Sequence, residues 1–203
     1  KGGHILIKGF PSERRSECGL VRRVVRGVIE RLLPSGGAEE EGARRAVEFV
    51  KHEVRRLLTG GCTAAEVTLT TALWRSDGQD IRDGAAGIMS LSGPGTSGPG
   101  QGGGRRLGVP AHVSLAQRLQ RRDPHRTFLL GERLPLIFVE GGEGDLQSEK
   151  AEDPIVALKE GNAPDYSLYW EKKLSPPLGR IFRHVLSESK LNDLLNGSHT
   201  KSR

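Results

Sequence analysis

Apolar residues recur at helical spacing from Gly19 to Leu33. Leu20, Val21, Val24, Val25, Val28, Ile29, Leu32 and Leu33 make one stripe. Arg22, Arg23, Arg26 and Arg31 lie off it, and Pro34-Ser35-Gly36-Gly37 ends the helix. A second helix is predicted from Glu39 to Leu58. Its acidic start, Glu39-Glu40-Glu41, and basic end, Arg55-Arg56, both suit the helix dipole. Its buried face is Ala43, Ala46, Val47, Val50, Val54 and Leu57, and Gly60-Gly61 stops it.

Short β-branched or apolar runs predict strands at His4–Ile7, Val67–Leu73 and Leu134–Glu140. Val113–Arg121 reads as a helix with Val113, Ala116 and Leu119 inward and Arg118, Arg121 and Arg122 outward, broken by Asp123-Pro124. Gly141–Asp145 is a turn, and Lys150–Glu160 a loop or short helix. Asp165 is placed to cap Tyr166–Leu174. Ser175-Pro176-Pro177 looks like a capped restart, since Ser caps helices and Pro suits a first turn. Leu178, Ile181, Phe182, Val185 and Leu186 form its stripe, and Leu191, Leu194 and Leu195 mark a last short helix. The fold class expected is mainly α with a few short β-strands.

Composition divides this picture. Ser76–Gly108 holds eleven of the 28 glycines and has little to bury, so it reads as a flexible insertion. The net charge is +6, which favours a polyanionic partner. Residues 1–60, 105–133 and 166–203 are basic, whereas residues 140–165 hold eight acids against two bases, so the surface should be polarised. Cys18 and Cys62 are isolated, without CxxC or a His at metal spacing; this argues against zinc and fits a reducing compartment. No apolar run approaches the roughly 20 residues of a membrane span, so no membrane is expected. A start at Lys1 rather than Met suggests a fragment.

Catalytic motifs fail on their physical requirements. Gly93, Gly95 and Gly98 match GxGxxG, but prolines interrupt them and no periodic helix follows. His52-Glu53 opens a zinc-like string that ends in Arg56, leaving a surface helix of alternating charge as the better reading. Asp77, Asp80 and Asp83 lack the spacing of a calcium loop. Arginine doublets are the recurrent feature: Arg14-Arg15, Arg22-Arg23, Arg44-Arg45, Arg55-Arg56, Arg105-Arg106 and Arg121-Arg122. Guanidinium groups bind phosphate oxygens bidentately, so doublets beside turns, Arg14-Arg15 and Arg121-Arg122, are the first candidates for nucleic-acid backbone contacts. No aromatics alternate with them, which favours duplex over single strands.

Four blocks then carry a resemblance. Ala151–Leu186, AEDPIVALKEGNAPDYSLYWEKKLSPPLGRIFRHVL, resembles the thumb of replicative family B DNA polymerases through Asp153-Pro154, Asp165, Tyr169, Leu174, Pro177, Leu178, Arg180, Ile181 and Phe182. Lys8–Cys18 is similar to that family's palm-to-thumb junction in Lys8, Gly9, Arg14, Arg15 and Cys18, with Ser16 and Pro11 where Asp and Glu are usual. Ala111–Val139 is similar in His112, Val113, Leu115, Ala116, Arg118, Arg122, Asp123, Pro124, Gly131, Arg133 and Pro135. The tail Asn196–Arg203, with His199-Thr200-Lys201, resembles the delta branch more than the zeta branch.

The resemblance implies the end of a palm at 1–18, thumb helices at 19–74, an insertion at 75–109 and the rest of a thumb at 110–203. It implies a nuclear, replicative DNA-directed DNA polymerase as parent, gripping primer–template duplex through phosphates. Lys8, Arg14, Arg15, His112, Arg118, Arg121, Arg122, Arg133, Arg180 and His199 are the candidate DNA contacts. Arg180 is equally placed to anchor its helix through a salt bridge. No catalytic residue is expected here, because the palm aspartates that hold magnesium are missing from the sequence and the family's cysteine motifs, for zinc or an iron–sulfur cluster, would follow it. The parent's partners would include accessory subunits and a sliding clamp. The alternatives are a zeta-type fragment, a non-catalytic binding module, or an RNA-binding scaffold built on the Gly-rich segment.

Overall fold

A computed structural model describes residues 11–33, 39–73, 110–129, 131–142 and 145–197. The expected strand at His4–Ile7, the Gly-rich segment, and Lys8 and His199 lie outside the described residues. In chain order, a 3₁₀ turn at Pro11–Glu13 precedes α1 (Gly19–Leu32), α2 (Glu39–Leu58), α3 (Ala64–Val67), β1 (Leu69–Ala72), α4 (Ala111–Arg122), β2 (Arg133–Phe138), β3 (Ala151–Glu152), α5 (Pro154–Glu160), α6 (Tyr166–Leu168), a π turn at Tyr169–Leu174, α7 (Ser175–Phe182) and α8 (Glu188–Asn196). The fold is mainly α with one small sheet. Two compact units divide it: one is drawn from Lys1–Leu69 and Pro164–Arg203, the other from Thr70–Ala163.

The first unit is helical. The α1 stripe is buried at Leu20, Val21, Val24, Val25 and Val28, against Ala43, Ala46, Val50, Val54 and Leu57 of α2. Their approach is close at two glycines. The Phe49 ring covers Gly27, and Arg31 lies over that ring, 3.8 Å from its centroid, while donating to the Gly27 carbonyl. A Cβ on Gly42 would stand 2.8 Å from the Arg31 carbonyl oxygen. The expected strand at Val67–Leu73 begins instead as a helical turn. Thr63 Oγ1 accepts from the Glu66 N–H and the Glu66 carboxylate accepts from the Thr63 N–H, a reciprocal cap that nucleates α3 before β1 starts.

Asp165 caps α6 as expected, accepting from the Leu168 N–H. α7 restarts at Ser175 with prolines in its first turn, as expected, but without the expected Ser cap. Leu174 and Ser175 are both right-handed helical, Ser175 caps nothing, and its N–H reaches back to Trp170 O across a widened π turn. Pro176 and Pro177 have no N–H, so two carbonyls of the preceding turn lose a helical partner in any register. Glu171 and Lys172 are exposed, where water can satisfy such acceptors. Tyr169, Leu174, Leu178 and Phe182 are fully buried beyond this point.

The second unit is a three-stranded sheet in the order β1-β2-β3. β3 pairs antiparallel with β2, Ile137 opposite Glu152 and Phe138 opposite Ala151. α4 packs on β2 and β3, and α5 on β2. α4 starts at Ala111, two residues before the apolar pattern, behind Pro110. Lys150–Glu160 resolves into β3 and α5. Asp153 accepts from the N–H groups of Ile155 and Val156, Pro154 opens the helix, and left-handed Gly161 closes it.

The Gly42 contact gives a direct test. Gly42→Ala should lower the urea midpoint, because overpacking against a backbone carbonyl costs about 1–3 kcal/mol and outweighs the ~1 kcal/mol gained in helix propensity. An unchanged or raised midpoint would show that α1 and α2 can separate freely there.

Candidate nucleic-acid interface

Neighbouring positions on a helix point about 100° apart, so the two side chains of a helical arginine doublet can meet different partners, although Arg44 and Arg45 on α2 are both exposed. The structure shows the consequence three times. Arg22 is exposed, while Arg23 Nη2 pairs with Glu53 (2.9 Å) and Glu66 (3.2 Å). Arg55 is exposed, while Arg56 Nη2 pairs with Glu66 at 2.7 Å and Arg56 Nε lies 3.4 Å from Glu53. Arg121 is exposed, while Arg122 grips Glu152 with both Nη atoms at 2.9 Å.

Glu53 is therefore no surface charge, as the alternating pattern had suggested. Its side chain is 8 % exposed, and two guanidinium groups from α1 and α2 hold it. Glu66 completes the cluster. The Arg56 guanidinium and the Thr63 backbone N–H pull its carboxyl from an ordinary 4.5 to about 2, against the effect of burial. For Glu152, burial pushes the carboxyl up, but Arg122 and the Asp153 N–H outweigh it and hold it below the ordinary range.

The candidate contacts sort accordingly. Arg14 and Arg15 are both exposed and make no ion pair with a described residue. They stand in a turn, with the Glu17 N–H donating to Arg14 O at 3.1 Å, and so escape the helical alternation. Arg121 is likewise exposed. Arg180 is exposed with no ion pair to a described residue, so the anchoring alternative finds no partner there. Arg183, one turn on, is exposed too; its i,i+3 spacing from Arg180 was the available signal.

Three candidates have inward duties. Arg118, expected to point outward, donates from Nη1 to Glu149 O at 2.9 Å and from Nη2 to Ala151 O. Arg122 is occupied by Glu152. Arg133 is exposed but donates to Thr70 O at 3.2 Å. His112 lies in the first turn of α4 with a buried Nε2 that has no partner, and burial lowers its pKa.

No three His, Cys, Asp or Glu side chains converge among the described residues. Cys18 and Cys62 are buried free thiols whose pKa values burial raises. Among the described residues no helix is long and apolar enough to cross a membrane.

Two outcomes check this geometry. Arg122→Ala should destabilise the second unit by about 1–3 kcal/mol, since Glu152, 7 % exposed, loses its partner. Arg121→Ala should shift stability by no more than about 0.5 kcal/mol. Equal denaturation midpoints for the two variants would refute the division of the doublet. Glu66, depressed to about 2 when folded, stabilises the fold fully above about 4.5 and loses that contribution as pH falls towards 2. Glu66→Gln should therefore be less stable at pH 7 and converge on the parent between pH 4.5 and 2 in a circular-dichroism acid titration. A gap constant across that range would contradict the pairing.

Comparison with known proteins accords with these features. Residues 108–185 match the model of DNA polymerase family B. The chain is 31% identical over 195 residues to a DNA polymerase delta catalytic subunit of Candida albicans, covering 96% of this chain and 16% of that protein. Against the delta catalytic subunit of Bos taurus the identity is 30%, covering 96% of this chain and 15% of that one. The family B DNA polymerase of Pyrobaculum calidifontis shares the fold with a TM-score of 0.59 at 22% identity, over 85% of this chain and 18% of that chain. The chain thus spans about a sixth of the length of the curated relatives it matches. By residue pattern and by likeness along almost its whole length, the chain is similar to family B of the DNA polymerases.

Proposed function

We propose that this chain is the thumb portion of a delta-type replicative DNA polymerase and grips the primer–template duplex through its phosphates without reading sequence. The observation that carries this reading is the set of exposed arginines that make no ion pair with a described residue, Arg14 and Arg15 in one unit and Arg121 in the other. Arg180 and Arg183 add a second cationic pair. Phosphate contacts position a protein on DNA but carry no base information, which is what copying any template requires. The likeness to delta catalytic subunits supports the same assignment.

In this reading the arginines that face inward, Arg23, Arg56, Arg118 and Arg122, keep the outward ones in place. The chain supplies grip, and polymerisation belongs to carboxylates elsewhere in the parent. Magnesium at the palm and a zinc or iron–sulfur group beyond the thumb belong to that parent, as do accessory subunits, the clamp and a nuclear location.

Duplex affinity should fall linearly in log–log salt, with a slope of about −0.9 for each phosphate contacted. Arg14→Ala/Arg15→Ala should make that slope shallower by about 1.8 and weaken all duplex sequences alike. A salt-independent affinity, or a loss confined to one sequence, would defeat the proposal.

A further inference from the structure

Arg14-Arg15 differs from the three doublets that each tie one arginine to a buried or half-buried glutamate: both of its residues are exposed and neither pairs with a described acid. The next residue is Ser16. It is exposed and, with Arg15, occupies the tip of the turn closed by the hydrogen bond from the Glu17 N–H to Arg14 O. No other Ser or Thr in the sequence directly follows two arginines. Ser12, four residues earlier, is buried, and Ser187 and Ser189 follow Leu186 and Glu188. A hydroxyl at a turn tip is open to an enzyme, and two exposed cations beside it suit a substrate groove lined by carboxylates.

We propose that Ser16 is the phosphoacceptor of an arginine-directed protein kinase and that its phosphate releases the Arg14-Arg15 pair from duplex DNA. The release rests on the phosphate-gripping role given to that pair above. In the transfer, a bond forms between Ser16 Oγ and the γ-phosphorus of ATP as the bond from that phosphorus to the β–γ bridging oxygen breaks. ADP leaves, and the hydroxyl proton passes to the kinase's base. The product carries about −1.5 to −2 charge beside two cations, which nearly cancels them. It also lies two residues before Cys18, the N-terminal boundary of α1. That helix has no side-chain cap and no acidic residue in its first turn, and Glu17, next to Cys18, is the one carboxylate already beside its positive end among the described residues.

The test uses the 203-residue chain, an arginine-directed serine kinase and ATP. Peptide mapping should find phosphate on Ser16, and Ser16→Ala should take up none there. The phosphorylated chain should bind duplex with a log–log salt slope shallower by about 1.8, as when two phosphate contacts are lost. No phosphate on Ser16, or phosphate on another residue in its place, overturns the site. Phosphate on Ser16 with an unchanged slope, in a chain whose Arg14→Ala/Arg15→Ala variant does lose slope, overturns the release. Should that double variant bind like the parent, the gripping role of this turn fails and the release with it, while the mapping still decides whether Ser16 is the acceptor.

Discussion

A carboxylate that leaves water must be met by charge, and in the helical unit Glu53 imposes this demand. It sits on α2 where an apolar residue would be cheaper to bury, and Arg23 of α1 and Arg56 of α2 converge on it. Each of those arginines also reaches Glu66 on α3, whose second oxygen accepts from Thr63. Four charges thereby tie three helices at a fixed angle and register. Valines stacked in a stripe bind strongly but can slide; paired guanidinium groups and carboxylates cannot do so without exposing an unpaired charge. The turn bearing Arg14 and Arg15 leads straight into α1, so its position depends on this lock.

The second unit uses the same device once. Arg122 holds Glu152, and Arg118 holds the carbonyl of Ala151 and that of Glu149. One face of α4 thus clasps β3 while Arg121 stays in solvent. A basic helix here is two surfaces, one structural and one available to a ligand. Counting its charges overstates the second.

How much of this was legible follows from the range of each interaction. α1 and α2 were readable almost to the residue, because a long apolar stripe at helical spacing is a local signal. Asp165 was readable as a cap for the same reason. Thr63 and Glu66 also spell a local signature, a capping box, but the strand reading began at Val67 and left Ala64–Glu66 without an element. The inward duty of Arg122 was not legible. Its partner lies 30 residues away, and nothing near α4 indicates that Glu152 will be buried beside it. Arg23 and Glu53, also 30 apart, are the same case. Arg14-Arg15 lies in a turn, as the sequence placed it, and both side chains are exposed there.

The widened turn at Tyr169–Leu174 acts as a counting device. It holds one residue more than an α-helical turn would, just before a pair of prolines that cannot donate. Deleting that surplus residue would rotate everything beyond it by about 100°. Ile181 and Phe182 would swing out of the core, and Arg180 would be carried towards it. The spacing from Tyr169 to Pro177 is therefore constrained more tightly than the identities of Glu171 or Lys172 within it. Relatives should vary those letters freely and keep the number of residues between them.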